Sequence, residues 1–255
     1  MSPPWTRHEL LIATIAALLQ GCRHVAVGAA SPIPAAGALL ARRRDPGLRV
    51  SLLGSAAHNA FTDGGRELFD CAAQGRIDAF FLSGAQIDGA GNVNLLGVGG
   101  RWPHLERRFQ GCFGSSYLAF LVPRLILFRP DHGPDALVER VDFVSAPGSS
   151  PPGVHRPGGP RWLLTGRCLL RFEAGGFVLA SLHPGEELAA VRAATGFTFR
   201  ASEPAATTPE PDAATLGAIR GTIAAELADA YPRFAARLAS RASRGRAAAR
   251  PAYTL

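Results

Sequence analysis

Residues 82–97 read Leu-Ser-Gly-Ala-Gln-Ile-Asp-Gly-Ala-Gly-Asn-Val-Asn-Leu-Leu-Gly, and this stretch decides the fold. The apolar run at residues 77–82 has the length and composition of a buried strand, which leads directly into a glycine-rich turn. Amide side chains on such a turn can both donate and accept hydrogen bonds. Their position is typical of the ligand crevice at the end of a strand in an open α/β sheet. The candidate crevice residues are Gly84, Gln86, Asn92 and Asn94.

Helices and strands alternate on either side of this stretch. The patterns predict helices over residues 6–20, 34–43 and 65–74, and strands over residues 24–27, 48–53 and 77–82. This alternation predicts an α/β fold, with an open, mostly parallel sheet and helices on both of its faces. Further short strands are predicted over residues 124–128, 141–144, 162–164, 169–172 and 177–179, with a hairpin turn at residues 173–176.

The length and composition indicate one domain with an appendage. We predict an α/β domain over residues 1–200, a linker and terminal helix over residues 201–232, and a disordered Arg/Ala-rich tail over residues 233–255. The tail holds six of the 27 arginines and no acidic residue, so it carries most of the net charge of +7. We therefore expect no nucleic-acid partner; binding through the tail is the weaker alternative and would be salt-sensitive.

The cysteines and the first apolar segment indicate a cytoplasmic protein. The apolar run at residues 10–19 is too short to span a bilayer and lacks a convincing cleavage site, so we expect a first helix and no membrane partner. The cysteine spacing suggests neither a zinc site nor a disulfide framework, so we expect no metal and free thiols. The four cysteines are Cys22, Cys71, Cys112 and Cys168.

Two further motifs follow the glycine-rich turn in order. Residues 141–148 read VDFVSAPG, and residues 182–185 read LHPG, with TGF at residues 195–197. Together with GAQIDGAGNVN at residues 84–94, they resemble three segments of the β-type subunits of class I coenzyme A transferases, the glutaconate CoA-transferase branch. The resemblance covers residues 23–200.

This resemblance implies a two-chain enzyme. In that family an α-type and a β-type chain of similar α/β fold meet at the active site, where a β-chain glutamate at the end of an early strand attacks the acyl-CoA. An anhydride and then a glutamyl-CoA thioester form, which divides one difficult acyl transfer into easier steps. The resemblance therefore implies a separate α-type partner chain, an acyl-CoA substrate, and no permanently bound cofactor, with coenzyme A entering as part of the substrate.

The sequence departs from the family at two places. The family's glutamate position falls at Leu53, and residues 46–62 contain no aspartate or glutamate. This chain therefore lacks the usual nucleophile. Residues 111–116 read GCFGSS where the family has G-S-G-G-A-N, which places the bulky Phe113 in the pocket wall. The matched positions add five candidate pocket residues: Gly54, Ser55, Gly111, Gly114 and Ser115.

Three activities remain open. The chain belongs to a CoA transferase with altered machinery, or to a divergent branch whose members resemble hydrolases that open a ring of steroid-derived CoA thioesters. In that branch water attacks a β-diketone carbonyl, and the α-type chain carries the important carboxylate. The third alternative is a non-catalytic scaffold for an active partner.

Other polar residues are weaker candidates. His58, Asp63 and Glu67 follow the second predicted strand, but turn and helix-cap roles suit the two acids better. A Ser-His-Asp triad built on Ser55 is disfavoured, because its members lie in one short loop without a nucleophile elbow. Residues 97–100 read GVGG without the helix or acid of a dinucleotide site. The arginines that could meet CoA phosphates, or lie in solvent or at a subunit contact, are Arg101, Arg107 and Arg108.

Overall fold

The computed structural model describes residues 4–248, with side chains described as far as residue 241. Two compact units are present. The first contains the chain up to Ala60 together with the chain from Glu210 onward, and the second contains Phe61–Pro209. These two units are defined by contacts between residues. The domain boundaries predicted at residues 200 and 232 were based on changes in composition, and they stay predictions.

Helices and strands alternate along the whole described chain. In order they are α1 (Arg7–Leu18), β1 (His24–Val27), α2 (Pro32–Arg44), β2 (Arg49–Leu52), α3 (Gly64–Ala73), β3 (Ala79–Leu82), β4 (Gln86–Ile87), β5 (Val93–Asn94), β6 (Gly97–Arg101), β7 (His104–Arg108), α4 (Ser115–Leu121), β8 (Arg124–Phe128), β9 (Pro160–Leu164), β10 (Cys168–Glu173), β11 (Gly176–Leu182), α5 (Leu188–Ala193), α6 (Ala213–Ala218), a π-helical turn (Ile219–Ile223), α7 (Ala224–Glu226) and α8 (Pro232–Ala248).

In the first unit, β1 and β2 pair in parallel, from His24 opposite Arg49 to Val27 opposite Leu52. Helix α1 packs closely on α2 at Gly37, where an added Cβ would lie only 2.3 Å from Ile15. Helix α1 begins with a capping box: the Thr6 side chain accepts from the Glu9 backbone N–H, and the Glu9 side chain accepts from the Thr6 backbone N–H. The close approach at Gly37 thus lets the two helices bury their apolar residues against each other.

In the second unit the sheet has the strand order β11-β10-β9-β8-β3. Strand β8 pairs in parallel with β3 and with β9, while β10 pairs antiparallel with β9 and β11. The hairpin between β10 and β11 turns at Ala174 and Gly175, both with positive φ, as expected of a tight two-residue turn. Its position agrees with the turn predicted at residues 173–176.

The predicted α/β class and the mostly parallel strand pairing are confirmed. Short apolar runs located the strands well, because a buried parallel strand reads as a continuous hydrophobic segment. The strand predicted over residues 141–144 is wrong: this segment is a loop. The backbone N–H groups of Val141 and Asp142 bond to side chains of the glycine-rich turn and not to a neighbouring strand.

The C-terminal segment also differs from its prediction. The terminal helix expected within residues 201–232 is divided by the π-helical turn. Asp212 caps its start by accepting a hydrogen bond from the Thr215 N–H at 2.7 Å. Helix α8 occupies residues predicted to be a disordered tail, because Phe234 and Leu238 recur on one face and are buried. The remainder of that predicted tail, residues 249–255, lies outside the described residues.

All four cysteines carry free thiols, and three are buried. Burial raises the pKa of the Cys168 thiol to about 12. Within residues 4–248, no helix is long and apolar enough to cross a bilayer, and no three His, Cys, Asp or Glu side chains are grouped to hold a metal ion.

Candidate functional site

The glycine-rich turn after β3 is held by its own amide side chains. Asn94 is fully buried, and its Nδ2 donates to Gln86 Oε1 at 2.8 Å and to the Gly97 carbonyl oxygen at 2.7 Å. Its Oδ1 accepts from the Leu96 N–H at 3.0 Å, and Gln86 Oε1 also accepts from the Asp142 N–H at 2.9 Å. These bonds fix the turn, so the predicted ligand role of the two amides stays a prediction.

Asp88 organises the second half of the turn. Its Oδ1 accepts from the backbone N–H groups of Ala90 and Asn92, both at 3.0 Å, and its Oδ2 accepts from Asn92 Nδ2 at 3.0 Å. Asn92 Oδ1 in turn accepts from the Gly148 N–H at 3.0 Å. Sequence reasoning named Asn92 but passed over Asp88 as an organising residue, although an aspartate followed by Gly-x-Gly is a turn signature.

The three motifs form one connected network. The turn side chains bind the second motif, at Asp142 and Gly148. The third motif packs on the same turn, because a Cβ added at Gly89 would lie 3.0 Å from the Phe197 Cβ. The adjacent Gly196 N–H donates to the Leu137 carbonyl oxygen at 2.6 Å. Segments far apart in sequence therefore form a single network around the turn that follows β3.

A histidine that the sequence analysis did not single out also joins this network. His132 places Nε2 2.9 Å from the Thr195 Oγ1 of the third motif and Nδ1 2.8 Å from Thr165 Oγ1. Burial, reinforced by the positive charge of Arg167, lowers the pKa of His132 to about 4. The imidazole is therefore neutral at physiological pH, with one nitrogen donating and the other accepting.

The depressed pKa of His132 gives the chain an acid-sensitive stability. In the unfolded state the side chain binds a proton below its ordinary pKa of 6.5, whereas in the folded state it does so only below about 4. The free energy of unfolding should therefore rise as pH increases from about 4 to about 6.5, by roughly 1–2 kcal/mol from this half-buried group. Urea titrations across this range measure the effect. If His132→Gln differs from the parent chain by the same amount at pH 4.5 and pH 7, the prediction fails.

A cavity of about 810 Å³ opens at the carboxyl end of β3. It brings together two predicted site glycines, Gly84 and Gly111, and the backbone just after the strand. The predicted residues Gln86, Asn92, Asn94, Gly114 and Ser115 are not among those that line it. The lining residues are Ser83, Gly84, Ala85, Leu95, Arg107, Arg108, Phe109, Gln110 and Gly111.

Arg129 fixes one wall of this cavity. It follows β8, the parallel neighbour of β3, and its Nη1 donates to the carbonyl oxygens of Gly84 and Ala85, the latter at 3.1 Å. Its Nη2 donates to Asp131 Oδ2 at 2.6 Å. Because parallel strands end at the same edge of a sheet, the end of β8 holds the turn that follows β3. No local pattern in the sequence indicates this role.

The first unit contains the predicted positions after β2. Ser55 is buried and its Oγ donates to Asp229 Oδ2 at 2.6 Å, while the same carboxylate oxygen accepts from the Ala57 N–H at 3.2 Å. The hydrogen bond from Ser55 lowers the pKa of Asp229. Ser55 thus pairs with an acid 174 positions away and not with Asp63 of the disfavoured triad. Gly54 is exposed beside it.

The three weak catalytic candidates have other partners. His58 Nε2 lies 3.9 Å from Glu226 Oε2. Asp63 forms an exposed ion pair with Arg66 at 3.1 Å. Glu67 Oε2 accepts from the Thr62 N–H at 2.7 Å, a bond that lowers the pKa of this carboxyl group. Glu67 therefore holds the turn that leads into α3, whereas Asp63 precedes the helix without a side-chain capping hydrogen bond, so the cap role predicted for Asp63 is not seen.

Comparison with known proteins finds relatives among the CoA transferases, which the three motifs resemble. Over 155 residues the chain is 33% identical to the β subunit of 3-oxoadipate CoA-transferase from Pseudomonas knackmussii, and the match covers 57% of this chain and 58% of that protein. Over 152 residues it is 31% identical to the β subunit of glutaconate CoA-transferase from Acidaminococcus fermentans, with 56% of each covered. Its matches span somewhat less than three-fifths of these curated relatives.

Solved structures share the fold of this chain over most of its length. A chain of IpdAB from Rhodococcus jostii RHA1 superposes with a TM-score of 0.77 at 24% identity, covering 91% of this chain and 98% of that one. A chain of the decarboxylase AibA/AibB superposes with a TM-score of 0.73 at 25% identity, covering 84% and 93%. No family model matches the sequence.

The loop that replaces the family's glycine run has an unusual backbone. Phe113 is 81% exposed and has a φ of 45°, which a residue with a side chain rarely adopts. Gly114 follows with a φ of 82°. The Phe113 side chain therefore points outward and does not line the cavity described above, although the sequence placed it in the pocket wall. Ser115 Oγ bonds to the Cys112 carbonyl oxygen, and Ser116 Oγ donates to the Ser145 carbonyl oxygen at 2.7 Å.

Replacing Gly114 by alanine should destabilise the second unit by about 2 kcal/mol. The new Cβ would require a left-handed backbone and would lie 2.1 Å from the Phe69 ring of α3. Thermal unfolding monitored by circular dichroism measures the loss. Gly217→Ala is the matched control, because this helical glycine has open space around its Cβ and the change should stabilise the helix slightly. Equal melting temperatures for the two variants would contradict this account.

Proposed function

We propose that this chain is the β-type half of a hetero-oligomeric enzyme that acts on an acyl-CoA thioester without a covalent β-chain glutamate. The observation that carries the proposal is the three-motif network around the turn that follows β3, next to a cavity at the carboxyl end of that strand. The resemblance assigns the family's glutamate position to Leu53. A leucine side chain can act neither as a nucleophile nor as a base.

The acids near β2 are poor replacements for that glutamate. Asp229 shares one oxygen between Ser55 and Ala57, and Glu226 pairs with Arg42 at 2.5 Å. The hydrogen bonds to Asp229 stabilise its ionised form and lower its pKa, which makes it a weaker base and nucleophile, and the ion pair occupies the Glu226 carboxylate. The acid–base chemistry is accordingly assigned to an α-type partner chain.

The residues of this chain then bind and position the substrate. The arginines that line the cavity attract the negatively charged CoA portion, and Arg129 keeps the turn at Gly84 and Ala85 in one conformation. A rigid wall of this kind supports catalysis by holding the thioester in a fixed orientation toward groups on the partner. Coenzyme A takes part only as a portion of the substrate.

Two reaction types fit a chain without the glutamate. The first is CoA transfer by altered machinery, which the similarity to the β subunits of two CoA transferases supports. The second is hydrolysis, C–C cleavage or decarboxylation of a CoA thioester, and the similarity to a chain of the decarboxylase AibA/AibB supports decarboxylation. None of the latter reactions requires an acyl-enzyme intermediate on the β-type chain.

The test is a purified complex of this chain with an α-type partner chain, which is to be sought first in the adjacent reading frame. Incubation with a panel of acyl-CoA thioesters, with and without acceptor carboxylates, distinguishes a new acyl-CoA, free CoA and released carbon dioxide by chromatography and gas analysis. The proposal expects turnover by the complex, and little by this chain alone. A stable complex that turns over no acyl-CoA contradicts it.

The scaffold alternative is tested in the same complex with Arg129→Met. If this chain forms part of the site, kcat should fall at least tenfold while the complex remains intact by size-exclusion chromatography, because the wall at Gly84 loses its anchor. Unchanged turnover with an intact complex would support a scaffold. Arg161→Met, on an exposed arginine outside the cavity, is the control.

A further inference from the structure

We propose that the hydroxyl group of Tyr231 contacts the reacting carbonyl group of the substrate, beside the position that the resemblance assigns to the missing glutamate. There the phenol donates a hydrogen bond to the carbonyl oxygen as negative charge develops on it. This inference rests on the proposed function, since it gives one side chain of this half of the enzyme a contact that Leu53 cannot make. Tyr231 lies beyond residues 23–200, which the resemblance covers, so no motif indicates it.

Tyr231 reaches the carboxyl ends of the two parallel strands of the first unit. Its hydroxyl oxygen accepts a hydrogen bond from the Ser31 N–H at 3.3 Å, in the loop that follows β1. A Cβ added at Gly54, in the loop that follows β2, would lie 3.9 Å from the same oxygen. Gly54 comes directly after Leu53. Because ligands of open α/β sheets bind outside the carboxyl ends of the strands, the hydroxyl lies where a substrate group is expected.

The backbone that carries Tyr231 is anchored beside these strand ends. Two positions earlier, Asp229 Oδ2 accepts from Ser55 Oγ at 2.6 Å and from the Ala57 N–H at 3.2 Å, both in the loop after β2. The Tyr231 N–H donates to the Leu227 carbonyl oxygen at 2.8 Å, and α8 begins at the next residue. A donor on an anchored backbone is already in place when charge develops on the substrate, so little reorganisation is needed.

The proton of the Tyr231 hydroxyl is available to a ligand. Within the part of the chain that the structure describes, this hydroxyl accepts from Ser31 and donates to no protein group. The serine hydroxyls of the same two loops already donate, Ser55 to Asp229 and Ser31 to the Ala29 carbonyl oxygen. A hydroxyl that accepts a hydrogen bond is polarised and becomes a better donor, so the Ser31 N–H strengthens the proposed contact.

The protonation state of Tyr231 suits this contact. Burial, reinforced by the negative charge of Asp229, raises the pKa of the phenol and outweighs the opposing effect of the Ser31 N–H. The hydroxyl is therefore protonated at neutral pH. CoA transfer, hydrolysis, C–C cleavage and decarboxylation of a thioester all move negative charge onto a carbonyl oxygen, which such a donor stabilises. The proton stays on the phenol and no bond to it forms, so the acid–base steps remain with the partner chain.

The kinetic test compares Tyr231→Phe with the parent chain in the two-chain complex. We expect kcat to fall about 100-fold while KM changes less than about threefold, because the donor acts on charge that develops in the transition state. A second preparation carries 3-fluorotyrosine at position 231, which keeps the hydroxyl but ionises at lower pH. The alkaline fall of kcat in the parent complex should move to lower pH in the fluorinated complex and be absent in Tyr231→Phe.

The fluorinated complex also tests the contact without turnover, by fluorine NMR. Acetyl-CoA contains a thioester carbonyl group and free CoA does not. We therefore expect the resonance of the label at position 231 to shift with acetyl-CoA and to stay in place with CoA. If Tyr231→Phe fails to assemble with its partner by size-exclusion chromatography, the fluorinated complex decides the question alone.

Two results would overturn the inference. One is an intact, active complex in which Tyr231→Phe keeps the parent kcat, or in which the fluorinated residue leaves the pH profile unchanged. The other is a resonance that does not respond to acetyl-CoA, or that responds equally to CoA. A parent complex that turns over no acyl-CoA contradicts the proposed function instead, and the fluorine resonance then decides whether Tyr231 contacts the carbonyl group.

Discussion

Replacing Arg220 by methionine is expected to lower the free energy of unfolding by about 3–5 kcal/mol. Arg220 Nε lies 2.6 Å from Glu9 Oε1, and its Nη2 lies 3.1 Å from Glu9 Oε2. The glutamate is fully buried. Burial opposes its ionisation, but the hydrogen bonds from Arg220 and Thr6 outweigh that effect and lower the pKa of Glu9. Removing the arginine leaves a buried charge without its partner.

Urea unfolding at pH 7 measures this loss, and two variants control it. The double variant Glu9→Met/Arg220→Met removes both charges and should recover much of the stability, because an apolar pair avoids the desolvation penalty. Arg43→Ala changes an exposed arginine of α2 and should alter stability by no more than about 0.5 kcal/mol. A loss below about 1 kcal/mol in Arg220→Met would show that the pair does not hold the first unit together.

The second large effect is expected at Asp88. Asp88→Ala removes the acceptor of three hydrogen bonds of 3.0 Å to Ala90 and Asn92, in a side chain that is 4% exposed. Leaving these donors unpaired should cost about 2–4 kcal/mol. Because the same turn carries the second and third motifs, turnover by the two-chain complex should also fall at least tenfold.

Asp88→Asn sharpens this prediction, since its amide would direct a donor at Asn92 Nδ2 and should recover only part of the stability. Asp63→Ala, which removes an exposed carboxylate paired with Arg66, is the control and should be close to neutral. Denaturant unfolding and steady-state kinetics are the two measurements. Parent-like kcat in a folded but destabilised Asp88→Ala would mean that the turn stabilises the fold without shaping the site.

The local features of the fold could be predicted from the sequence, because each depends on neighbouring residues. Continuous apolar runs located β1, β3 and β8, and the glycine-rich hairpin between β10 and β11 was evident from its turn residues. The segment at residues 141–148 shows where local sequence patterns fail to predict the structure. Its residues have strand-like composition, but their N–H groups bond to Gln86, Asp88 and Asn92, which lie more than 50 positions earlier in the chain.

The candidate site was predictable in outline and not in its contacts. The β3 end, Gly84 and Gly111 were identified from the motifs, and the structure places them around one cavity. Arg129 and Asp229 were not identified, since each acts through a partner distant in sequence: Gly84 for the first and Ser55 for the second. Single charged residues outside any motif carry no local signal of such contacts.

The central claim is that no carboxylate of this chain attacks the thioester. It is tested most directly by incubating the active two-chain complex with its acyl-CoA and borohydride, which reduces an enzyme–CoA thioester at the modified carboxyl group, and then mapping both chains by peptide mass spectrometry. We predict that every acidic residue of this chain remains unmodified while turnover proceeds. A reduced carboxyl group on this chain, at Asp229 or Glu226 above all, would contradict the account.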